Sequence, residues 1–190
     1  MYKAIIFDFF DVIHSDPFQR WLKKHDYERS GEFAKSAQQV DFGRISYDEH
    51  YQRLSELSGQ SAQSIKEVFD DTQLIDQDMV ELIRSLHGQY KIGLLSNAGG
   101  QYLRPILEEH GLMELFDEIA ISAEIGVVKP DPAIFKHALK QLGVKAEEAI
   151  FTDDNPGNVA AAEAVGIRSI VFTSEKALRR ELAAAGIKVS

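Results

Sequence analysis

Four polar clusters in this sequence carry side chains able to do chemistry together. They are Asp8, Ser96-Asn97, Lys129 ahead of Pro130, and Asp153-Asp154 with Asn158 close behind. Carboxylates at Asp8 and Asp154 suit Mg²⁺, a hard cation that takes oxygen ligands and leaves room for a substrate's phosphate. The Ser96 hydroxyl and the backbone N–H groups at Asn97 suit phosphate oxygens, and Lys129 adds compensating positive charge. Each cluster alone has a plainer reading. Asp8 can cap a turn, Ser96-Asn97 can begin a helix, Lys129 can sit in a solvated loop, and Asp153-Asp154 can be an acidic turn.

Acting together requires elements that bring the clusters to one place. Five apolar runs, Ala4–Phe7, Ile92–Leu95, Ile119–Ile121, Ala149–Phe151 and Ser169–Phe172, lack polar alternation, as parallel strands covered on both faces do. Each of the four clusters follows one of the first four runs. Asp131-Pro132 and Asn155-Pro156 pair a capping side chain with a proline preset for a first helical turn. Gly111, Gly143, Gly166 and Gly186 stand where helices end. Alternating strand and helix predicts an α/β fold, a three-layer doubly wound parallel sheet. Side chains after its strands converge on a crevice at the carboxyl edge.

One segment departs from this rhythm. Between the first strand and the helix before Ile92 no strand is legible, and three helical starts are: Asp16-Pro17, Ser46 with Glu49 as a capping box, and Ser61. The expected organisation is an α/β core at 1–13 and 78–190 with a small helical cap at 14–77. Phe18, Trp21 and Phe42 are expected to pack inside that cap.

Composition narrows the function. The 190 residues carry a formal charge of -9, which repels nucleic-acid phosphates and anionic lipid. Small anionic substrates stay compatible with it through a locally positive pocket. There is no cysteine, so disulfides and thiolate-bound metals are excluded. The first apolar run is too short for a signal peptide and no stretch would span a membrane, so a cytoplasmic protein is expected. The six histidines show no metal-ligand spacing and are expected mostly at the surface, with His14 alone near the first cluster.

In order along the chain, Phe7-Asp8-Phe9-Phe10-Asp11-Val12, Leu94-Leu95-Ser96-Asn97, Lys129-Pro130 and Phe151-Thr152-Asp153-Asp154-Asn155-Pro156-Gly157-Asn158 resemble the four motifs of the haloacid dehalogenase-like hydrolases. The resemblance spans essentially the whole chain, helical insert included. It implies a Mg²⁺-dependent phosphatase acting on a small phosphomonoester, such as a sugar phosphate. Asp8 would be the nucleophile that forms an aspartyl-phosphate. Ser96 and the Asn97 backbone would hold the phosphoryl group, and Lys129 would neutralise Asp8 and the substrate. Asp8, Asp154 and the backbone carbonyl of Phe10 would bind Mg²⁺, with Asp153 and Asn158 supporting them. The Lys129–Pro130 peptide would be cis.

Phe10 breaks the family pattern, because phosphatases place a second Asp there as general acid. Phe cannot move a proton, and Asp11 is the adjacent carboxyl. An aromatic residue at this position also suits a metal-independent 2-haloacid dehalogenase, whose halide leaves without protonation. A regulatory protein that kept the scaffold and lost its acid is a third reading. The paired acids of the fourth motif favour phosphoryl chemistry.

Overall fold

The structure, a computed structural model, describes residues 1–71 and 74–189. Thr72 and Gln73, within the expected insert, and Ser190, at the end of the expected core, lie outside the described residues.

The two-residue period of the strands sets the layers. In β1 (Ala4–Phe7), Ile5 and Phe7 enter one apolar cluster while Ala4 and Ile6 enter another. β2 (Lys91–Ser96) pairs with β1, Phe7 opposite Leu94, and β4 (Ala149–Asp153) pairs on its other side, Phe7 opposite Thr152. β3 (Glu118–Ile121) and β5 (Arg168–Val171) lie outermost, so the all-parallel order is β3-β2-β1-β4-β5. These strands begin or end within two residues of the expected runs. The outer two correct one expectation: Glu118 and Ile119 are only half-buried, and Arg168 and Val171 are exposed. A helical layer centred on the sheet leaves its edge strands partly uncovered.

Helices cover both faces. α5 (Gln77–Leu86), α6 (Gly100–Glu109) and α10 (Glu175–Ala184) bury Leu82, Leu107 and Leu182 against Ile5 and Phe7. On the opposite face α8 (Pro132–Leu142) and α9 (Pro156–Ala164) pack Phe135 and Ala162 against Ile6 and Phe151. The short α7 (Ser122–Ile125) follows β3. Asp131 and Asn155 cap α8 and α9 through Ala133 N and Gly157 N, each 2.8 Å away.

Four helices fill the stretch after β1: α1 (Pro17–Lys24), α2 (Gly31–Asp41), α3 (Tyr47–Ser58) and α4 (Ala62–Phe69). They close on an apolar cluster of their own that includes Phe18, Trp21, Leu54, Ile65 and Phe69. Ser46 and Glu49 form the reciprocal capping box at α3, and Asp16 and Ser61 cap α1 and α4. Phe42 is not in that cluster. It is half-buried at the end of α2, where the Arg44 guanidinium lies 4.5 Å from its ring centroid.

Two histidines depart from the expected surface position. His14 and His50 are 1% and 2% exposed. Each satisfies Nδ1 inside the protein, His14 with the Ser15 carbonyl and His50 with Ser36 Oγ, both at 2.7 Å, which lets the rings pack among aromatic neighbours. Among the described residues, no helix is long and apolar enough to cross a membrane.

Candidate active site

The chain leaves β1 toward β2 on one side and returns as β4 on the other, so the ends of β1 and β4 form the switch point where open α/β sheets bind ligands. Asp8 follows β1 there, its N–H still bonded to the Thr152 carbonyl at 2.9 Å, and Asp153 ends β4. Carboxylate oxygens of Asp8, Asp153 and Asp154 lie within 4.8 Å of one another. Lys129 joins two of them, with Nζ 2.7 Å from Asp8 Oδ1 and 2.7 Å from Asp153 Oδ2.

The three carboxylates are not equivalent. Asp153 is fully buried and accepts from Lys129 Nζ, from Asn155 N at 2.8 Å, and from Asn158 Nδ2 at 3.1 and 3.0 Å on its two oxygens. Protein donors thus occupy both of its oxygens. Asp8 Oδ1 accepts from Phe9 N at 2.7 Å and from Lys129, and Oδ2 has no donor among the described residues. Asp154 is exposed and lines the same pocket of about 270 Å³ as Asp8, Phe10, Asn97 and Lys129.

Burial, with the Asp153 charge adding, raises the Asp8 carboxyl well above the ordinary range despite Lys129. Burial alone would lower the Lys129 ammonium; the charges and hydrogen bonds of Asp8 and Asp153 outweigh it and leave Lys129 above its ordinary value. Desolvation against the pocket wall, then the Asp153 and Asp11 charges, push Asp154 up to about 6.

Ser96 and Asn97 contribute differently. Ser96 is fully buried at the end of β2, and its Oγ has no hydrogen-bond partner among the described residues. The Asn97 side chain grips the Lys129 backbone in both directions, Nδ2 donating to its carbonyl at 3.0 Å and Oδ1 accepting from its N–H at 2.8 Å. That clamp is not legible in a Ser-Asn dipeptide. The Lys129–Pro130 peptide is cis. His14 lines neither this pocket nor the chamber described next.

A chamber of about 40 Å³ between insert and core borders the pocket. Its apolar wall includes Phe10, Phe18, Tyr47, Phe69 and Tyr102, and its polar groups are Asp16, Arg29, Asp41, His50 and Asn97. Phe10 stacks on Tyr102 at 6.3 Å and Tyr102 on Tyr47 at 4.6 Å, so an aromatic row runs from the loop after β1 into the insert. Gly99 permits it, because a Cβ there would stand 2.8 Å from Tyr47 Cε2. Ser122 ties the insert down by donating to the Asp41 carbonyl at 2.6 Å while accepting from Ala98 N at 3.0 Å. Two larger grooves, of about 370 and 400 Å³, include Tyr47 but none of the four polar clusters. Asp16 and Phe18 were legible only as a helix cap and as packing, and none of the insert's chamber residues belongs to one of the four motifs, so the sequence did not point to them as site residues.

Residues 2–166 match the haloacid dehalogenase-like hydrolase family. The chain belongs to that family. A sesquiterpene phosphatase of Aspergillus oryzae is 34% identical over 149 residues, 76% of this chain and 76% of the relative. A D-ribitol-5-phosphate phosphatase of Bacteroides thetaiotaomicron is 25% identical over 207 residues, 96% of this chain and 97% of the relative. Several other curated relatives match over less than half of their own length. Among solved structures, a family enzyme of Bacteroides thetaiotaomicron in complex with magnesium and inorganic phosphate superposes with a TM-score of 0.70. At 21% identity, over 91% of this chain and 95% of that one, it shares the fold. Membership makes the chain a hydrolase and its parallel sheet with helices on both sides the family fold.

Proposed function

We propose that this hydrolase is a Mg²⁺-dependent phosphatase that cleaves a small phosphomonoester through an aspartyl-phosphate at Asp8. Residues 14–77 act as its cap, and 1–13 with 78–190 as its catalytic core. The observation that carries this reading is the division among the three clustered carboxylates. Asp153 is saturated by protein donors, whereas Asp8 and Asp154 keep oxygens for a cation. An all-oxygen set of Asp8, Asp154 and the Phe10 carbonyl fits a hard cation. When bound, Mg²⁺ would neutralise charge on the transferring phosphoryl group.

The chain's own groups account for the remaining steps. The Asp8 carboxylate attacks phosphorus as the bond to the leaving alcohol breaks, giving an acyl phosphate. Water then attacks phosphorus, inorganic phosphate departs and Asp8 is regenerated. Ser96 Oγ and the Asn97 N–H bind phosphoryl oxygens, which accounts for the orphaned buried hydroxyl. Lys129 offsets the charge of Asp8 and phosphate, and Asn97 and Asp153 fix its position. Asn158 orients Asp153. The phosphatase names of two relatives that align over most of their length agree with a small phosphorylated substrate. We place the enzyme in the cytoplasm, and its acidic charge disfavours nucleic acid and anionic membrane as partners.

The test is phosphate release from a panel of phosphomonoesters with Mg²⁺ and with EDTA. Turnover should require the metal, and Asp8→Asn should abolish it while beryllofluoride binds the unmodified protein at Asp8. Phe10 favours one other reading, a metal-independent 2-haloacid dehalogenase. Halide release in EDTA from 2-haloacids, with no phosphate release under any condition, would establish it instead.

A further inference from the structure

We propose that Asp41, the last residue of α2, is the acid that protonates the leaving oxygen, a task Phe10 cannot perform. The inference rests on the phosphatase reading above and adds a catalytic residue to it. A proton donor must reach both the phosphoryl group at Asp8 and the alcohol leaving from it. Five residues border both the nucleophile pocket and the adjoining chamber: Phe10, Asp16, Arg29, Asp41 and Asn97. Phe10 has no proton to give, Arg29 does not release one, and the Asn97 amide is engaged with the Lys129 backbone. Both oxygens of Asp16 are occupied, Oδ1 by Phe18 N and Gln19 N at the α1 cap and Oδ2 by Arg29 Nη1 at 2.9 Å. Asp41 remains. Its carboxyl has no hydrogen-bond partner among the described residues.

Its neighbours explain why the other candidates fail. Asp11 borders the nucleophile pocket but not the chamber, and its Oδ1 accepts from Asp16 N at 2.9 Å. His50, Tyr47 and Tyr102 border the chamber but not the nucleophile pocket, and the Tyr102 hydroxyl already donates to the Phe69 carbonyl at 2.6 Å. Asp41 is also held in place. Ser122 grips its carbonyl, and the chain beyond it passes so close to Ala123 that a Cβ at Gly43 would stand 2.9 Å from the Ala123 carbonyl.

Burial pushes the Asp41 carboxyl up to about 6, against the lowering pull of Arg29, with Asp16 raising it and Lys129 opposing. A protonated fraction is therefore present near neutrality. In the step, the Asp41 O–H proton passes to the bridging oxygen as the P–O bond breaks. The alcohol leaves neutral and Asp41 remains as carboxylate. Asp41 then accepts a proton from the water that attacks the aspartyl-phosphate, which restores the acid.

The experiment compares phenyl phosphate, whose phenolate leaves without a proton, with cyclohexyl phosphate, whose alkoxide does not. Asp41→Asn should lower kcat/KM for cyclohexyl phosphate by about 10²-fold or more, and that for phenyl phosphate by no more than about threefold. Asp41→Glu should restore part of the alkyl rate. In the unmodified enzyme the alkyl rate should fall as pH rises through about 6, and Asp41→Asn should lack that limb. Retained phenyl phosphate turnover in Asp41→Asn certifies the fold and the nucleophile. Equal losses on both substrates, or an unchanged ratio between them, would overturn the assignment. If the unmodified protein turns over neither substrate with Mg²⁺, the phosphatase reading fails and this one with it.

Discussion

Lys129→Met would separate the electrostatics of the site from its chemistry. In the unmodified protein one ammonium, 4% exposed, sits between carboxylates that are 7% and 0% exposed, with both contacts at 2.7 Å. Met fills similar volume and removes the charge. Asp153 would keep its bonds from Asn155 and Asn158, but Asp8 would keep only the Phe9 N–H. Leaving a buried charge without its partner costs about 3–5 kcal/mol. For a chain of this size, that lowers the melting midpoint by about 6–20 °C. The cost should depend on pH with a definite sign. Burial already holds Asp8 above its unfolded value, and removal of Lys129 raises it further. An acid whose pKa is higher when folded binds protons better in the native state, so stability falls as pH rises through the window between the two values. The deficit of Lys129→Met should therefore be smaller at about pH 5 than at about pH 7.5. Thermal denaturation in EDTA at both pH values measures it, and adding Asp8→Asn to the variant should recover most of the loss. A midpoint within about 2 °C of the unmodified protein at neutral pH would refute the reasoning, as would a deficit that does not shrink on acidification.

Asp154→Asn should abolish Mg²⁺-stimulated turnover with an unchanged melting midpoint in EDTA. In the unmodified protein, the Mg²⁺ concentration for half-maximal rate should climb as pH drops below about 6, where protons compete for that carboxylate. Asn97→Ala removes both bonds to the Lys129 backbone and should cost about 1–3 kcal/mol in urea unfolding, together with a fall in kcat at saturating metal. Gly99→Ala carries no backbone strain at φ -85 but drives a methyl toward Tyr47, and should lower stability by about 1–3 kcal/mol. Tyr47→Ala in the same chain should relieve much of that loss.

The core was legible because each strand announces itself locally. Ala4–Phe7 is an unbroken apolar run whose side chains fill both faces of the sheet, and the polar residue ending that run had one place to go. Asp131-Pro132, Asn155-Pro156 and Ser46 with Glu49 were readable because a cap needs only neighbouring residues. The helix α2 was not. Ser30 makes no side-chain cap bond, and the segment buries only Ser36, Ala37 and Val40, a narrow stripe. Missing α2 meant missing Asp41, whose surroundings are set by Arg29, Ser122 and the core loop rather than by adjacent residues. His50 went unread for the same reason. Its burial depends on Ser36, one helix away, and on rings from α1 and α4.

Phe10 gains a positive meaning once the insert is placed over it. Read along the chain, it is a missing acid. In space, it begins the row that continues through Tyr102 to Tyr47, and it meets Phe9 and His14 edge-on. The loop that carries Asp8 thus also supplies apolar surface to the chamber. The metal-binding candidates and Lys129 all come from loops at the edge of the sheet, whereas the chamber draws Asp16, Arg29, Asp41, Tyr47 and His50 from the insert. Under the proposed mechanism, changes in the insert would alter which alcohol leaves, and how its oxygen is protonated, without moving the groups that hold phosphate. On that mechanism the four motifs bear on the reaction class, and the alcohol would be set chiefly by insert residues that no motif contains, beside Phe10 and Asn97.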